Sequence, residues 1–186
     1  MLPLASAAGA VYLSHMRVIR DYQFVDPNDK GASVAIGNFD GVHLGHQSVI
    51  DLARDGAKRL DAPLGILTFE PHPRSYFAPD AAPFRLMDAH ARETRLAKLG
   101  IERLYQLNFN TSLAALTPRE FAQHVIVDGL GLVNVVVGAD FCFGKGRAGT
   151  TKDLVKFGHE MGFDVTIASL IEDASIQISS TAIRNA

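Results

Sequence analysis

The chain is expected to fold as an α/β domain, an open parallel sheet with helices on both faces. Three observations predict it. Short apolar, β-branched runs alternate with amphipathic stretches of helical length, the pattern of successive strand–helix units. The helical stretches carry end signals where the pattern needs them: Pro118 opens one, Gly129 closes it, and Gly162 stops another. Glycine- and histidine-rich segments follow two of the strands, and in open parallel sheets ligands sit at the carboxyl ends of strands where the strand order reverses.

In chain order, Ser33–Ile36 reads as a first buried strand ending in Gly37. Residues 47–60 form a helix whose apolar face is expected at Val49, Ala53, Ala57 and Leu60. Residues 65–68 are the second strand, ended by Pro71 and Pro73. A helical segment over residues 89–99 leads into a third strand at 103–107. Beyond the helix opened by Pro118, residues 134–137 make the fourth strand. Thr151–Met161 is a helix and Asp164–Ala168 the fifth strand. There is no internal repeat and no low-complexity linker. A length of 186 residues therefore reads as one domain, able to bury a core without covalent staples.

Hydrophobic residues make up 47% of the chain and charged residues 20%, an ordinary balance for a soluble globular protein. The formal net charge of -2 gives no pointer to nucleic acid or to an acidic membrane surface. An anionic substrate must then be captured by local basic groups and backbone N–H groups. No apolar run reaches the length of a membrane span. The single cysteine, Cys142, excludes an internal disulfide and a cysteine-rich metal site, and points to a reducing cytoplasm. The apolar stretch over residues 1–13 has no lysine or arginine before Arg17, so it lacks the positive region of a secretion signal. Met16 opens a charged segment. Residues 1–15 are accordingly read as a tag remnant or over-long start, and residues 16–186 as the domain.

The segment Gly37-Asn38-Phe39-Asp40-Gly41-Val42-His43-Leu44-Gly45-His46 joins the first strand to the first helix. Its glycines allow a tight turn and close backbone approach to a ligand. The helix beginning near Gly45 offers unpaired N–H groups and a positive dipole end, a ready anion site. His43 and His46 are three residues apart and project from one side of a helical turn. Beside a phosphate chain their charged forms are favoured, and they can donate hydrogen bonds to charge developing on a phosphoryl group. An HxxH pair can also bind zinc, but no cysteine lies nearby and no third ligand is evident.

This segment resembles the signature of the bacterial FAD synthetases, within the nucleotidylyltransferase superfamily that shares an HxGH element with class I aminoacyl-tRNA synthetases. The resemblance implies a Rossmann-like fold in which His43 and His46 face the phosphates of ATP. Gly37, Asn38, Phe39, Asp40 and Gly45 would then line the ATP site. No covalent enzyme intermediate is implied: the FMN phosphate attacks the α-phosphate of ATP, and the enzyme mainly positions both.

Three further blocks follow in the family's order. Thr68-Phe69-Glu70-Pro71-His72-Pro73-Arg74 is, on physical grounds alone, a strand-ending loop stiffened by proline. It is similar to the family segment lining the flavin side, so that Pro71, His72 and Pro73 would border FMN. Phe77 would pack on the isoalloxazine ring and Arg74 would meet phosphate. The block from Gly138 to Gly149 contains a literal G-x-G-x-x-G at 144–149, which invites a dinucleotide reading. Five residues separate it from the strand end, however, and no carboxylate ends the next strand to hold a ribose. It resembles instead the family's G-x-D-F-x-F-G-x-x-R-x-G loop, with Asp140 and Phe143 as flavin contacts and Lys145 and Arg147 able to neutralise phosphate. Solvated loop charges remain the simpler reading of those two cations. Ile178-Ser179-Ser180-Thr181-Ala182-Ile183-Arg184 reads alone as the capped start of a short helix. It resembles the superfamily's second nucleotide motif, in which Ser179, Ser180 and Thr181 would bind the triphosphate and Arg184 the leaving pyrophosphate.

The implied activity is transfer of the adenylyl group of ATP to FMN, giving FAD and pyrophosphate, with magnesium riding on the triphosphate. ATP and FMN are the implied partners, with no nucleic acid and no membrane. Two alternatives stay open: a sister nucleotidylyltransferase with another phosphate acceptor, and a flavin- or nucleotide-binding module without turnover. The stretch 86–93 fits the family pattern loosely and has no assigned role. Family members usually carry a C-terminal riboflavin kinase domain. This chain stops at Ala186, so it is expected to be an excised module, covalently linked to that kinase in a longer protein, or a single-function version.

Overall fold

The computed structural model describes residues 16–42, 44–82 and 85–169. Within them, six parallel strands form one sheet in the order β1-β4-β3-β2-β5-β6. The strands are β1 (Arg17–Ile19), β2 (Ser33–Ile36), β3 (Leu64–Glu70), β4 (Arg103–Asn108), β5 (Asn134–Gly138) and β6 (Asp164–Ala168). The order runs outward from β2 in both directions, so the topological switch lies between β2 and β5.

Helices cover both faces, as expected, and the strands are buried on both sides. Ala35, Ile66, Leu104 and Val136 face α1 (Leu44–Leu60) and α3 (Ala89–Lys98), packing with Ile50, Ala53, Ala57 and Leu96. Val34, Ile36, Val135 and Val137 face the other way. They pack against α4 (Thr111–Ala115), α5 (Pro118–Glu120) with its π-helical continuation Phe121–Gly129, and α6 (Thr151–Met161). The seven-residue difference between β2 and α1 leaves room for one loop at the carboxyl end of β2, residues 37–43.

The α1 face differs from the expected one: Ile50, Ala53, Gly56 and Ala57 are buried, whereas Leu60 is 37% exposed. Gly56 explains the shift. A β-carbon there would sit 2.3 Å from Asn134 Nδ2 and 2.8 Å from Ser33 Oγ, so α1 is drawn onto β2 and β5 at that turn. Ser33 Oγ donates to the Ala53 carbonyl at 2.7 Å and accepts from Asn134 Nδ2 at 2.9 Å. With the helix seated there, its last residue overhangs the sheet.

Three elements had no counterpart in the sequence pattern: β1, α2 (Pro73–Phe77) and α4. β1 has only three residues, too few for a periodic signal, and side chains secure its docking. Arg17 lies 2.8 Å from the buried carboxylate of Asp29, which Arg103 at the start of β4 also meets at 3.1 Å. Among the described residues no helix is long and apolar enough to cross a membrane.

Candidate active site

The β2–α1 loop leaves the sheet beside the switch point. The Gly37 amide still bonds the Leu67 carbonyl of β3 at 3.1 Å, after which the chain turns sharply. Phe39 (φ 51°) and Val42 (φ 42°) both take the left-handed conformation that side-chain sterics disfavour. Their side chains are 1% and 0% exposed, so burial offsets the strain. Gly41 (φ 81°) supplies the third left-handed position, where a β-carbon would also stand 2.9 Å from Leu86 Cδ1. The result presents the first turn of α1, which contains no carboxylate to neutralise its positive end. Gly45 lies in that turn. His46 follows it half-buried, its ring centroid 5.1 Å from that of Phe39. His43 lies outside the described residues.

Asp40 and Asn38 were expected to line an ATP site, and both are tied into the scaffold. The Asp40 carboxylate is buried and accepts from the Leu86 and Met87 amides. The Asn38 carbonyl accepts from Thr68 Oγ1 at 3.4 Å and from Arg92 Nη1 at 3.5 Å. Arg92, whose side chain is 5% exposed, also meets Glu70 Oε2 at 3.1 Å. Arg85 joins the same carboxylate at 2.8 and 3.0 Å. This set was missed in the sequence, although a signal existed. Arg92 stands four residues before Leu96 and seven before Leu99, a cation on the apolar face of a helix.

Pro71-His72-Pro73 is more ordered than a loop. Glu70-Pro71 is cis. His72 is the N-cap of α2, its Nδ1 accepting from the Arg74 amide at 3.0 Å, and Pro73 occupies the first helical turn. Arg74 is exposed, and Phe77 is 68% exposed. Phe77 meets Phe109 at 5.8 Å between ring centroids, edge to face. From there ring contacts run without a gap through Phe69 and Phe121 to Phe143, at 5.8, 6.4 and 5.7 Å. Phe141 stacks on Phe143 at 5.5 Å. The expected flavin-side residues Phe77 and Phe143 thus belong to one run of ring contacts, Phe77 exposed and Phe143 buried in the core. Its middle members, Phe69 on β3, Phe109 just after β4 and Phe121 at the start of the π-helical turn, are far apart in the chain, and sequence spacing alone does not join them.

The β5–α6 loop turns at once, the Phe141 amide bonding the Gly138 carbonyl at 3.1 Å. Asp140 is exposed at that turn. Phe143 and Gly149 then pair in an antiparallel bridge, so the G-x-G-x-x-G string lies in a small hairpin instead of opening a helix. The hairpin is seated on α5: the Lys145 amide bonds the Leu116 carbonyl at 2.7 Å, and a β-carbon on Gly144 would stand 2.7 Å from Pro118 N. Its tip holds Lys145 and Arg147 (φ 57°) exposed. Capping boxes brace the flanking helices. The Thr117 N–H holds the Glu120 carboxyl below the usual range, and the Thr150 hydroxyl does the same for Asp153. Ser179, Ser180, Thr181 and Arg184 lie outside the described residues.

Comparison with known proteins agrees with the family resemblance. Residues 25–182 match the family model described as FAD synthetase. The chain is 39% identical over 171 residues to a bifunctional riboflavin kinase/FMN adenylyltransferase of Pseudomonas fluorescens, covering 92% of this chain and 55% of that protein. Its identity to the protein of the same description from Listeria monocytogenes is 34% over 177 residues, covering 95% and 54%. The chain thus spans just over half the length of these relatives. Among solved structures it is similar to one described as a macrolide-efflux protein from Streptococcus pneumoniae (TM-score 0.77, 28% identity, 91% of this chain and 57% of that one). A pantoate-beta-alanine ligase from Francisella tularensis shares the fold at a TM-score of 0.51 and 12% identity, over 89% of this chain and 71% of that one.

Proposed function

The chain belongs to the FAD synthetase family, and on that footing we propose that it transfers the adenylyl group of ATP to FMN, releasing pyrophosphate. One observation supports the proposal: the loop before α1 and the Phe77 and Phe143 segments all follow the carboxyl ends of strands, β2, β3 and β5, that neighbour one another in the sheet. A nucleotide triphosphate and a planar aromatic acceptor call for that pairing.

In the proposed reaction a phosphate oxygen of FMN attacks the α-phosphorus of ATP. The bond to the oxygen bridging the α- and β-phosphorus breaks, and that oxygen leaves with pyrophosphate. His46 and His43 donate hydrogen bonds to the charge that develops, Gly37 to Asp40 and Gly45 shape the loop, and Ser179, Ser180, Thr181 and Arg184 hold the departing group. On the acceptor side, Phe77 and Phe143 border the flavin, Asp140 accepts from its polar edge, and Pro71, His72 and Pro73 fix the α2 start. Arg74 and Arg147 meet the FMN phosphate. Magnesium is proposed to ride on the triphosphate of the substrate, arriving as MgATP. A cytoplasmic setting and a linked riboflavin kinase domain are part of the same proposal.

Chromatography of flavins after incubation with MgATP and FMN tests it, with riboflavin, nicotinamide mononucleotide and phosphopantetheine as parallel acceptors. FAD from FMN alone supports the proposal. Adenylylation of another acceptor would place the chain with a sister enzyme, and bound FMN without product would make it a binding module.

A further inference from the structure

The described site contains a closed circuit of polar contacts that no single motif explains. It begins in the β2–α1 loop, where the Asn38 carbonyl meets Arg92 Nη1 at 3.5 Å. Arg92 Nη2 passes to Glu70 Oε2 at 3.1 Å. Glu70 is the last residue of β3, immediately before Pro71, and Arg85 grips both of its carboxylate oxygens, at 2.8 and 3.0 Å. Arg85 directly precedes Leu86 and Met87, whose amides bond Asp40 at 2.9 and 3.2 Å, back in the loop where the circuit began. Two arginines share one carboxylate, and that carboxylate stands at the junction of the phosphate-side and acceptor-side loops.

We propose that Glu70 is a positioning residue, which locks the β2–α1 loop to the α2 side of the site so that the two bound substrates are in register. The inference rests on the functional reading above for its kinetic consequence, though not for the circuit itself. Its physical basis is that Asn38 and Asp40 are held from outside the loop by groups that converge on Glu70. The strained conformations at Phe39 and Val42 need such external restraint. The functional reading above gives Glu70 no ligand contact of its own, so each half-site is expected to keep its own ligand when the circuit opens. The loss falls on their relative placement, and displacement of reacting atoms by about an ångström can lower turnover roughly a hundredfold.

The experiment compares the wild type with Glu70→Gln, Arg85→Ala and the double variant. Glu70→Gln is isosteric and a third of the Glu70 side chain is exposed, and Arg85 is 27% exposed, so neither change empties the core. Glu70→Gln is expected to lower kcat roughly tenfold to a hundredfold while the separate dissociation constants for ATP and FMN stay within about twofold. The double variant is expected to be no worse than Glu70→Gln, because both changes open one circuit. Unchanged kcat, additive losses, or a loss confined to substrate affinity would overturn the proposal. Hydrogen exchange of the unliganded protein reads the circuit without turnover. Residues 37–42 and 85–88 should lose protection together in Glu70→Gln while β2 and β3 keep theirs. Were the wild type to make no FAD, the function proposed above would fail, and this exchange pattern would decide Glu70 alone: separate or absent changes would overturn it.

Discussion

Asp40 Oδ1 lies 2.9 Å from the amide nitrogen of Leu86, and the same oxygen reaches the Met87 amide at 3.2 Å. A carboxylate inside the phosphate-type loop is thus a backbone receptor for a segment 46 residues away. Asp40→Ala leaves two N–H groups without that acceptor and is expected to cost about 2 kcal/mol of stability. Asp40→Asn, which keeps one acceptor oxygen, should recover part of it. Urea unfolding measures both, and an unchanged midpoint in Asp40→Ala would show that water replaces the carboxylate without penalty.

Much of the fold was legible in the sequence because its elements carry strong local signals. Thr151–Met161 and Asp164–Ala168 were read to the residue, since the left-handed Gly162 punctuates them. The amphipathic pattern of Leu44–Leu60 was read only from residue 47, although the histidine motif put its start near Gly45, because that first turn shows no amphipathic period. β1 and α2 were not legible: one is too short, and the other depends on His72 acting as a cap, a role no periodicity encodes. In the site, Phe77 and Phe143 could be named from their motifs. Arg92 carried a signal as a cation on an apolar helix face, but its partner Glu70 could not be named from the sequence, because the two meet across 22 residues.

Tyr105 provides a pH-dependent test of the core. Its ring is fully buried and its hydroxyl donates to the Asp29 carbonyl. Burial raises its pKa well above the ordinary 10.0. The folded state therefore favours the neutral phenol. This contribution is fully present below about pH 10, where the unfolded phenol is also neutral, and declines above it as the unfolded chain ionises first. Tyr105→Phe should lower stability by about 1 kcal/mol at neutral pH and flatten the loss between about pH 10 and 11. Melting temperatures recorded across that range would contradict this if both proteins declined in parallel.

Phe77 is an exposed ring at the end of an aromatic run. Phe77→Ala is expected to leave the melting temperature within error and to raise KM for FMN by up to about tenfold, the scale of one aromatic pair. KM for ATP should stay the same. A fall in stability with no change in KM would make Phe77 part of the scaffold and not of the acceptor site.

His46 stands on the first turn of α1 and packs beside Phe39. His46→Ala is expected to lower kcat about a hundredfold or more, the loss of one transition-state donor, while circular dichroism stays native. Wild-type turnover in a well-folded variant would remove His46 from the chemistry.

The most direct test follows the phosphorus atoms. ATP labelled at the α-phosphate is incubated with FMN and magnesium, and in parallel ATP labelled at the γ-phosphate. Attack at the α-phosphorus puts all of the first label transferred into FAD and all of the second released into pyrophosphate, in equal amounts. Appearance of the γ-label in a flavin, or FAD formed without the α-label, would contradict adenylyl transfer.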